Sequence, residues 1–133
     1  MYFISILSIK NRYKLLYKLL EERSSEESIS HKYMPSYEEH VIFVANNPYR
    51  YWFFIVEDFD TVVGSIYMTK NNEIGISIFK EHRRKGYAVW ALNNIKQYAR
   101  YELYANINPA NQKSIELFEK AGFKHIQNTY KLG

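Results

Sequence analysis

Glu73-Ile74-Gly75-Ile76-Ser77-Ile78-Phe79 and, two residues on, His82-Arg83-Arg84-Lys85-Gly86-Tyr87-Ala88 together decide how this chain folds. The first run places isoleucine at every second position, the period of a strand. After the basic cluster the period lengthens to about 3.6, with Ala88, Leu92, Ile95 and Ala99 on one helical face. A strand therefore passes into a helix through a turn that carries three cations and one glycine. Gly86 lets the backbone come close to a bound group, and the free N–H groups of a helix start point at an anion. Arg83, Arg84 and Lys85 add positive charge there, and Ala88 is small enough to keep the approach open. A phosphate cradle and a solvated basic turn ended by glycine both fit these residues taken alone.

Working outward, residues 102–107 return to strand character. Pro109 stands where it can open a helix with Asn108 as its cap. Ile115, Phe118 and Ala121 continue that helix, Gly122 ends it, and residues 123–131 read as a last strand. Upstream, residues 50–58 and 61–69 form a hairpin around Asp58-Phe59-Asp60, and Asn71-Asn72 turns the chain into 73–79. Residues 2–8 are a first strand. Leu15, Leu16, Leu19 and Leu20 mark a helix over 11–22, followed by a polar loop at 21–28. Ser36 and Glu39 have the spacing of a capping box, and Asn46-Asn47-Pro48 ends the helix they start.

The resulting order is β-α-α-β-β-β-α-β-α-β. It predicts an α/β (α+β) fold with a mixed central sheet: an antiparallel meander, one parallel pair formed by the β-α-β step from 73 to 107, and helices on both faces. Residues 1–133 make one domain, as the length implies. Open α/β sheets bind ligands at the carboxyl ends of their strands, which again points to the turn at 83–88.

Composition narrows the function. Eighteen Lys and Arg against 14 Asp and Glu give a net charge of +4, and the dense basic cluster is local, so no broad nucleic-acid surface is expected. The chain has no cysteine, which excludes disulfides, thiolate metal sites and a cysteine nucleophile. His31, His40, His82 and His125 have no metal-ligand spacing, so no metal is expected. The apolar start, Met1-Tyr2-Phe3-Ile4-Ser5-Ile6-Leu7, meets Lys10, Arg12 and Lys14 at once, and no stretch approaches the roughly 18 apolar residues of a membrane span. A cytoplasmic protein without a membrane partner is the expectation.

Arg83-x-x-Gly86-x-Ala88 resembles the GNAT acyltransferase signature Gln/Arg-x-x-Gly-x-Gly/Ala. Asn111-x-x-Ser114-x-x-Leu117-Phe118-x-Lys120-x-Gly122-Phe123 resembles the same superfamily's C-terminal helix and following strand. The element order over the whole chain is similar to that superfamily's as well. The resemblance implies acetyl-CoA as acyl donor and a small-molecule amine as acceptor. It implies that backbone groups of Ile76, Ser77 and Ile78 bind the pantetheine arm, and that the amides from Arg84 through Lys85, Gly86 and Tyr87 to Ala88 bind the pyrophosphate. A backbone N–H near Ile78 meets the oxyanion. Asn111 matches a position that contacts the coenzyme arm or an ordered water; helix capping explains it equally well.

Glu73 is the candidate general base. A protonated amine must lose a proton before it attacks a thioester, and some family members place a water-bridged glutamate at the start of this strand. An exposed turn glutamate beside Asn71-Asn72 is the alternative. Many members carry, at the position of Phe118, a tyrosine that protonates the leaving thiolate. Phe118 cannot, which leaves Tyr87, Tyr104 or water for that step and assigns Phe118 to packing against the coenzyme arm or core. The same residue supports a different possibility, an acyl-CoA-binding module without catalysis.

On the acceptor side, the segment 28–40 lines the pocket in this fold, and His31 is a second candidate base against the alternative of a surface histidine. His40 before Phe43 and Tyr51-Trp52 resembles, more weakly, members that acetylate amino groups on nucleotide-linked sugars. An aromatic pocket can stack a sugar face. A protein N-terminus is the competing acceptor. The edge of the strand at 123–131 offers a surface for a second copy of the chain.

Overall fold

The computed structural model describes residues 1–23 and 34–133. Its order is β1 (Tyr2–Ser5), α1 (Arg12–Glu21), α2 (Tyr37–Ala45), β2 (Tyr51–Val56), β3 (Val62–Met68), β4 (Ile74–Ile78), α3 (Tyr87–Ile95) and α4 (Gln112–Lys120), with short 3-10 turns after β1, before α3 and after it. The four strands form an antiparallel sheet in the order β1-β2-β3-β4. This is the expected meander, extended by the N-terminal strand.

Both faces of the sheet are covered. On one, Ile55, Val63, Ile66, Met68 and Ile74 pack with Ala91, Leu92 and Ile95 of α3 and Phe118 of α4. On the other, Phe54, Val56, Ile6 and Phe79 pack with Leu16 and Leu19 of α1 and Val44 of α2. That is why β2 is apolar at every position rather than alternating: each of its faces has a core to fill, and each fully buried side chain of this size contributes about 1.5–3 kcal/mol. A register shift pairs Ile55 with Gly64 but Val56 with Val62. The extra residue, Val63, turns inward beside Ile66 and Met68.

The helix boundaries follow local chemistry. Ser36 and Glu39 form the capping box, with Glu39 N donating to Ser36 Oγ at 3.1 Å and Ser36 N to Glu39 Oε1 at 2.9 Å. Gly122, at φ +98°, ends α4: its N–H donates to the Glu119 carbonyl and that of Phe123 to the Phe118 carbonyl. Asn108 and Pro109 do not start α4. The Asn108 side chain instead accepts from Ala110 N in a local turn, and Asn111 is the cap, accepting from Ser114 N at 3.1 Å.

Two expected strands differ. Residues 102–107 meet the sheet through one parallel bridge, Glu73 with Tyr104, in which Ile74 N donates to the Tyr104 carbonyl and Tyr104 N to the Asn72 carbonyl. The chain then leaves the sheet through Asn106, Asn108 and Pro109, residues that fit a ladder poorly. The parallel pair is thus a single point of contact followed by a splay. Residues 124–133 form no strand among the described residues; they are exposed and have no ladder to join. Among the described residues no helix is long and apolar enough to cross a membrane.

Candidate active site

The splay beyond Tyr104 opens a cleft of about 450 Å³ between β4, the 106–108 segment, α4 and the covering helices α1 and α2. Strand period places Glu73, Gly75 and Ser77 on the face toward α1 and α2, and the isoleucines between them on the core face. Glu73, Ile76, Ser77, Asn111 and Phe118 all line this cleft. Ile78, the last residue of β4, and the turn from Arg83 to Ala88 beyond it do not line the cleft. His31 lies outside the described residues.

Glu73 is half-buried and held in place. Asn106 Nδ2 makes a short hydrogen bond to Oε2, Thr69 Oγ1 lies 3.4 Å from Oε1, and Glu73 N donates to Thr69 Oγ1 at 3.0 Å. Asn106 reaches it because the single parallel bridge pins residue 104 beside residue 73. An ordered carboxylate on the cleft wall is the arrangement a general base requires.

The two edges of β4 differ. Glu73 and Phe79 exchange bonds with β3, through Thr69 N to Glu73 O and Phe79 N to Val63 O, both at 2.9 Å. In an antiparallel ladder such residues alternate with outward-facing ones, so the backbone groups of Ile74, Ile76 and Ile78 point to the other edge. Ile74 meets Tyr104 there. Past that bridge, the N–H and C=O of Ile76 and the N–H of Ile78 face the splay, while the Ile78 carbonyl accepts from Arg83 Nε at 3.1 Å. Ser77 differs from Ile76 and Ile78: its backbone belongs to β3, and its hydroxyl enters the cleft, accepting from Arg23 Nη2 at 3.2 Å.

At the turn, Gly86 is the N-cap of α3 at φ +83°. A methyl group placed there would meet no heavy atom within 4 Å, so the space beyond Gly86 is open and the backbone conformation is what demands glycine. Arg84 also has a positive φ, +64°. The first N–H groups of α3 have no carbonyl partner within the helix. Arg84, Lys85 and Gly86 are exposed, whereas Arg83 is partly buried and tied to the strand end. Open space, a helix start and exposed cations fit a pyrophosphate.

Asn111 uses its side-chain oxygen to cap α4, so its amide nitrogen is what it has left to offer the cleft. Phe118 is 5% exposed and packs edge-on against Phe123, with ring centres 5.1 Å apart. Tyr87 and Tyr104 do not line the cleft; their hydroxyls donate to Glu57 and Glu102.

The aromatic pocket expected around Phe43 and Trp52 includes two tyrosines, Tyr49 and Tyr67, that the sequence does not single out. Tyr67 stacks on Tyr49 with centres 4.0 Å apart and planes 6° from parallel, and Trp52 and Phe43 pack edge-on against Tyr49. Gly75 makes room for this wall: a methyl group there would lie 2.1 Å from the Tyr67 ring. Burial, joined by the neighbouring Tyr67 hydroxyl, raises the pKa of Tyr49. The Trp52 indole N–H has no partner among the described residues. His40 is buried, and desolvation lowers its pKa although its Nε2 lies 3.1 Å from the Tyr13 carbonyl. For Tyr67 the available signal is its cross-strand position opposite Gly75. Among the described residues no cluster of three His, Cys, Asp or Glu side chains can hold a metal.

A profile of the acetyltransferase (GNAT) family matches residues 13–123, and the chain belongs to that family. Its enzyme class is that of the N-acetyltransferases. Among solved structures it is similar to a spermidine N-acetyltransferase from Vibrio cholerae in complex with CoA and spermine, with a TM-score of 0.74 and 19% identity over 90% of this chain and 79% of that one. A phosphinothricin acetyltransferase from Sinorhizobium meliloti in complex with AcCoA gives a TM-score of 0.64 and 16% identity over 92% and 73%. An N-acetyltransferase from Staphylococcus aureus Mu50 gives 0.64 and 17% over 95% and 83%. These likenesses show the fold. No curated protein matches the chain.

Proposed function

We propose that the chain transfers an acetyl group from acetyl-CoA directly to the amine of a small molecule, with amino sugars, free or nucleotide-linked, as the acceptor class. The observation that carries this reading is the juxtaposition along β4: an ordered carboxylate at Glu73, open backbone donors at Ile76 and Ile78, and beyond them the helix start at Gly86. When bound, acetyl-CoA supplies the thioester carbonyl. The amides from Arg84 to Ala88 hold the pyrophosphate, and Arg84 and Lys85 neutralise it. The edge of Ile76 and Ile78 pairs with the pantetheine arm as an added strand does, and the Ile78 N–H faces the carbonyl oxygen. Asn111 and Phe118 flank the arm.

Glu73 takes the amine proton through water, and the nitrogen then attacks the carbonyl carbon. The N–C bond forms, the C–S bond breaks, and water returns a proton to the thiolate. Phe118 donates none, and Tyr87 and Tyr104 are engaged elsewhere. The aromatic wall of Tyr49, Tyr67 and Trp52 supports a sugar face as acceptor. The neighbour solved with spermine makes a polyamine the competing acceptor. A cysteine-free sequence supports a cytoplasmic setting. A homodimer would use the exposed side chains of segment 123–131, Ile126 at 70% and Tyr130 at 89%, because that segment has no strand edge to pair.

Coenzyme A release measured against amino sugars, nucleotide-linked amino sugars, polyamines and peptides tests the reading. Release driven by amino sugars supports it. Release by no amine, with acetyl-CoA still bound, overturns it in favour of a regulatory binding module.

A further inference from the structure

The residues around the cleft carry a charge that transfer to a simple amine does not require. Of the ionisable groups lining it, Glu39 is engaged in the capping box of α2, Glu73 is held by Asn106 and Thr69, and His40 is kept neutral by burial. Arg23 is different. Its side chain crosses from the end of α1 to β4, where Nη2 donates to Ser77 Oγ at 3.2 Å. Among the described residues no carboxylate pairs with it. It also lies close enough to the buried Tyr49 hydroxyl to oppose the rise in that group's pKa. A guanidinium offers five N–H groups in a planar fork, of which one hydrogen bond occupies a single corner. A cation anchored by a neutral hydroxyl on a half-buried cleft wall is a receptor for an anionic oxygen group.

We infer that the acceptor carries, besides its amine, a negatively charged phosphate or carboxylate that Arg23 binds, with Ser77 and the Tyr49 hydroxyl beside it. The inference rests on the proposed acetyl transfer to a small amine and narrows its acceptor. Glu73 and Ser77 lie four positions apart on one strand face, about 13 Å along the strand. The amine is drawn to one end of the cleft and the anion to the other. An acceptor with its charge several bonds from the amine spans this distance; an α-amino acid, with the two groups on one carbon, does not. A polyamine would bring a second cation against Arg23.

The test compares coenzyme A release with glucosamine, glucosamine 6-phosphate, alanine and spermidine, in the wild-type protein and in Arg23→Gln, Arg23→Lys and Ser77→Ala. The expected result is a kcat/KM at least tenfold higher for the phosphorylated than for the unphosphorylated sugar, with alanine and spermidine weaker. In Arg23→Gln that preference collapses through a higher KM for the phosphorylated sugar at little-changed kcat, and sodium chloride weakens the wild-type preference in the same direction. Arg23→Lys keeps part of the preference, and Ser77→Ala, which removes the anchor but not the charge, falls between. Acetyl-CoA affinity, measured by calorimetry, moves less than twofold in Arg23→Gln, and the melting midpoint shows that the variant is folded. Alanine as the best acceptor would leave the anion but overturn its remote placement. Equal rates with both sugars, a preference that survives Arg23→Gln, spermidine as the best acceptor, or a large loss of acetyl-CoA affinity in Arg23→Gln would each overturn the inference while leaving amine acetylation standing. Release by no amine would remove both together.

Discussion

The two ends of β4 are built on different principles. At its C-terminal end, the proposed phosphate site, the turn from Arg83 to Gly86 and the start of α3, consists of consecutive residues and mostly of backbone groups. At its N-terminal end and across the sheet face, Arg23, Tyr49, the Tyr67 and Thr69 pair, Glu73 and Asn106 come from five stretches of the chain and contribute side chains. A backbone site tolerates many side chains and depends on conformation. A side-chain site depends on each partner and on the contacts that aim it. The first end therefore has one vulnerable residue, Gly86, and the second has several.

Substitutions separate the two ends. The largest effect is expected for Glu73→Gln, which keeps the hydrogen-bonding shape but cannot take a proton: kcat falls on the order of 100-fold or more, with acetyl-CoA affinity unchanged by calorimetry. An undiminished kcat would remove Glu73 as base and return it to the role of a turn residue. Next, Gly86→Glu raises the dissociation constant for acetyl-CoA about 30-fold or more, since a left-handed backbone strains any side chain with a Cβ and the new carboxylate faces the phosphates. Gly86→Asn, which tolerates that backbone, retains most of the affinity. If both variants bind alike, the turn is only a basic bend.

Gly75→Ala acts on the other end alone. Its methyl group would drive the Tyr67 ring off Tyr49. The acceptor KM is expected to rise about tenfold with acetyl-CoA binding intact, the energy of one or two disturbed ring contacts. Equal losses for donor and acceptor would mean that the two ends are not separable.

The smallest effect is on stability. Desolvation keeps the folded-state pKa of His40 below its ordinary 6.5. Below that pH the unfolded chain takes up a proton that the buried ring refuses. Stability is therefore full above about pH 6.5, declines as pH falls toward the folded pKa, and declines no further below it. Thermal melts of His40→Gln should show a shallower decline across that window than the wild type. Parallel curves would mean that other groups set it.

Much of the fold was legible because its signals are local. Isoleucine at alternate positions in 74–78, the Ser36 and Glu39 pair and Gly122 each act within a few residues, and each appears where periodicity and capping place it. The errors share a cause. Residues 102–107 and 123–131 have strand-like composition, but a strand exists only where a partner edge accepts it. Tyr104 finds one at Glu73, its successors do not, and the departure there opens the cleft. Asn111 in place of Asn108 as the cap of α4 has a similar origin, since both asparagines carry the right chemistry and the turn geometry chose between them.

By itself, then, the sequence determined the meander, the capped start of α2 and the glycine turn into α3, because periodicity, capping and a positive φ are properties of neighbours in the chain. Only the tertiary structure decided that Asn106 orients Glu73, that Gly75 admits Tyr67 against Tyr49, that Ser77 turns its hydroxyl rather than its backbone to the cleft, and that Arg23 stands there. Those contacts join residues far apart in sequence, and their geometry follows from sheet register and helix packing, which no local pattern encodes.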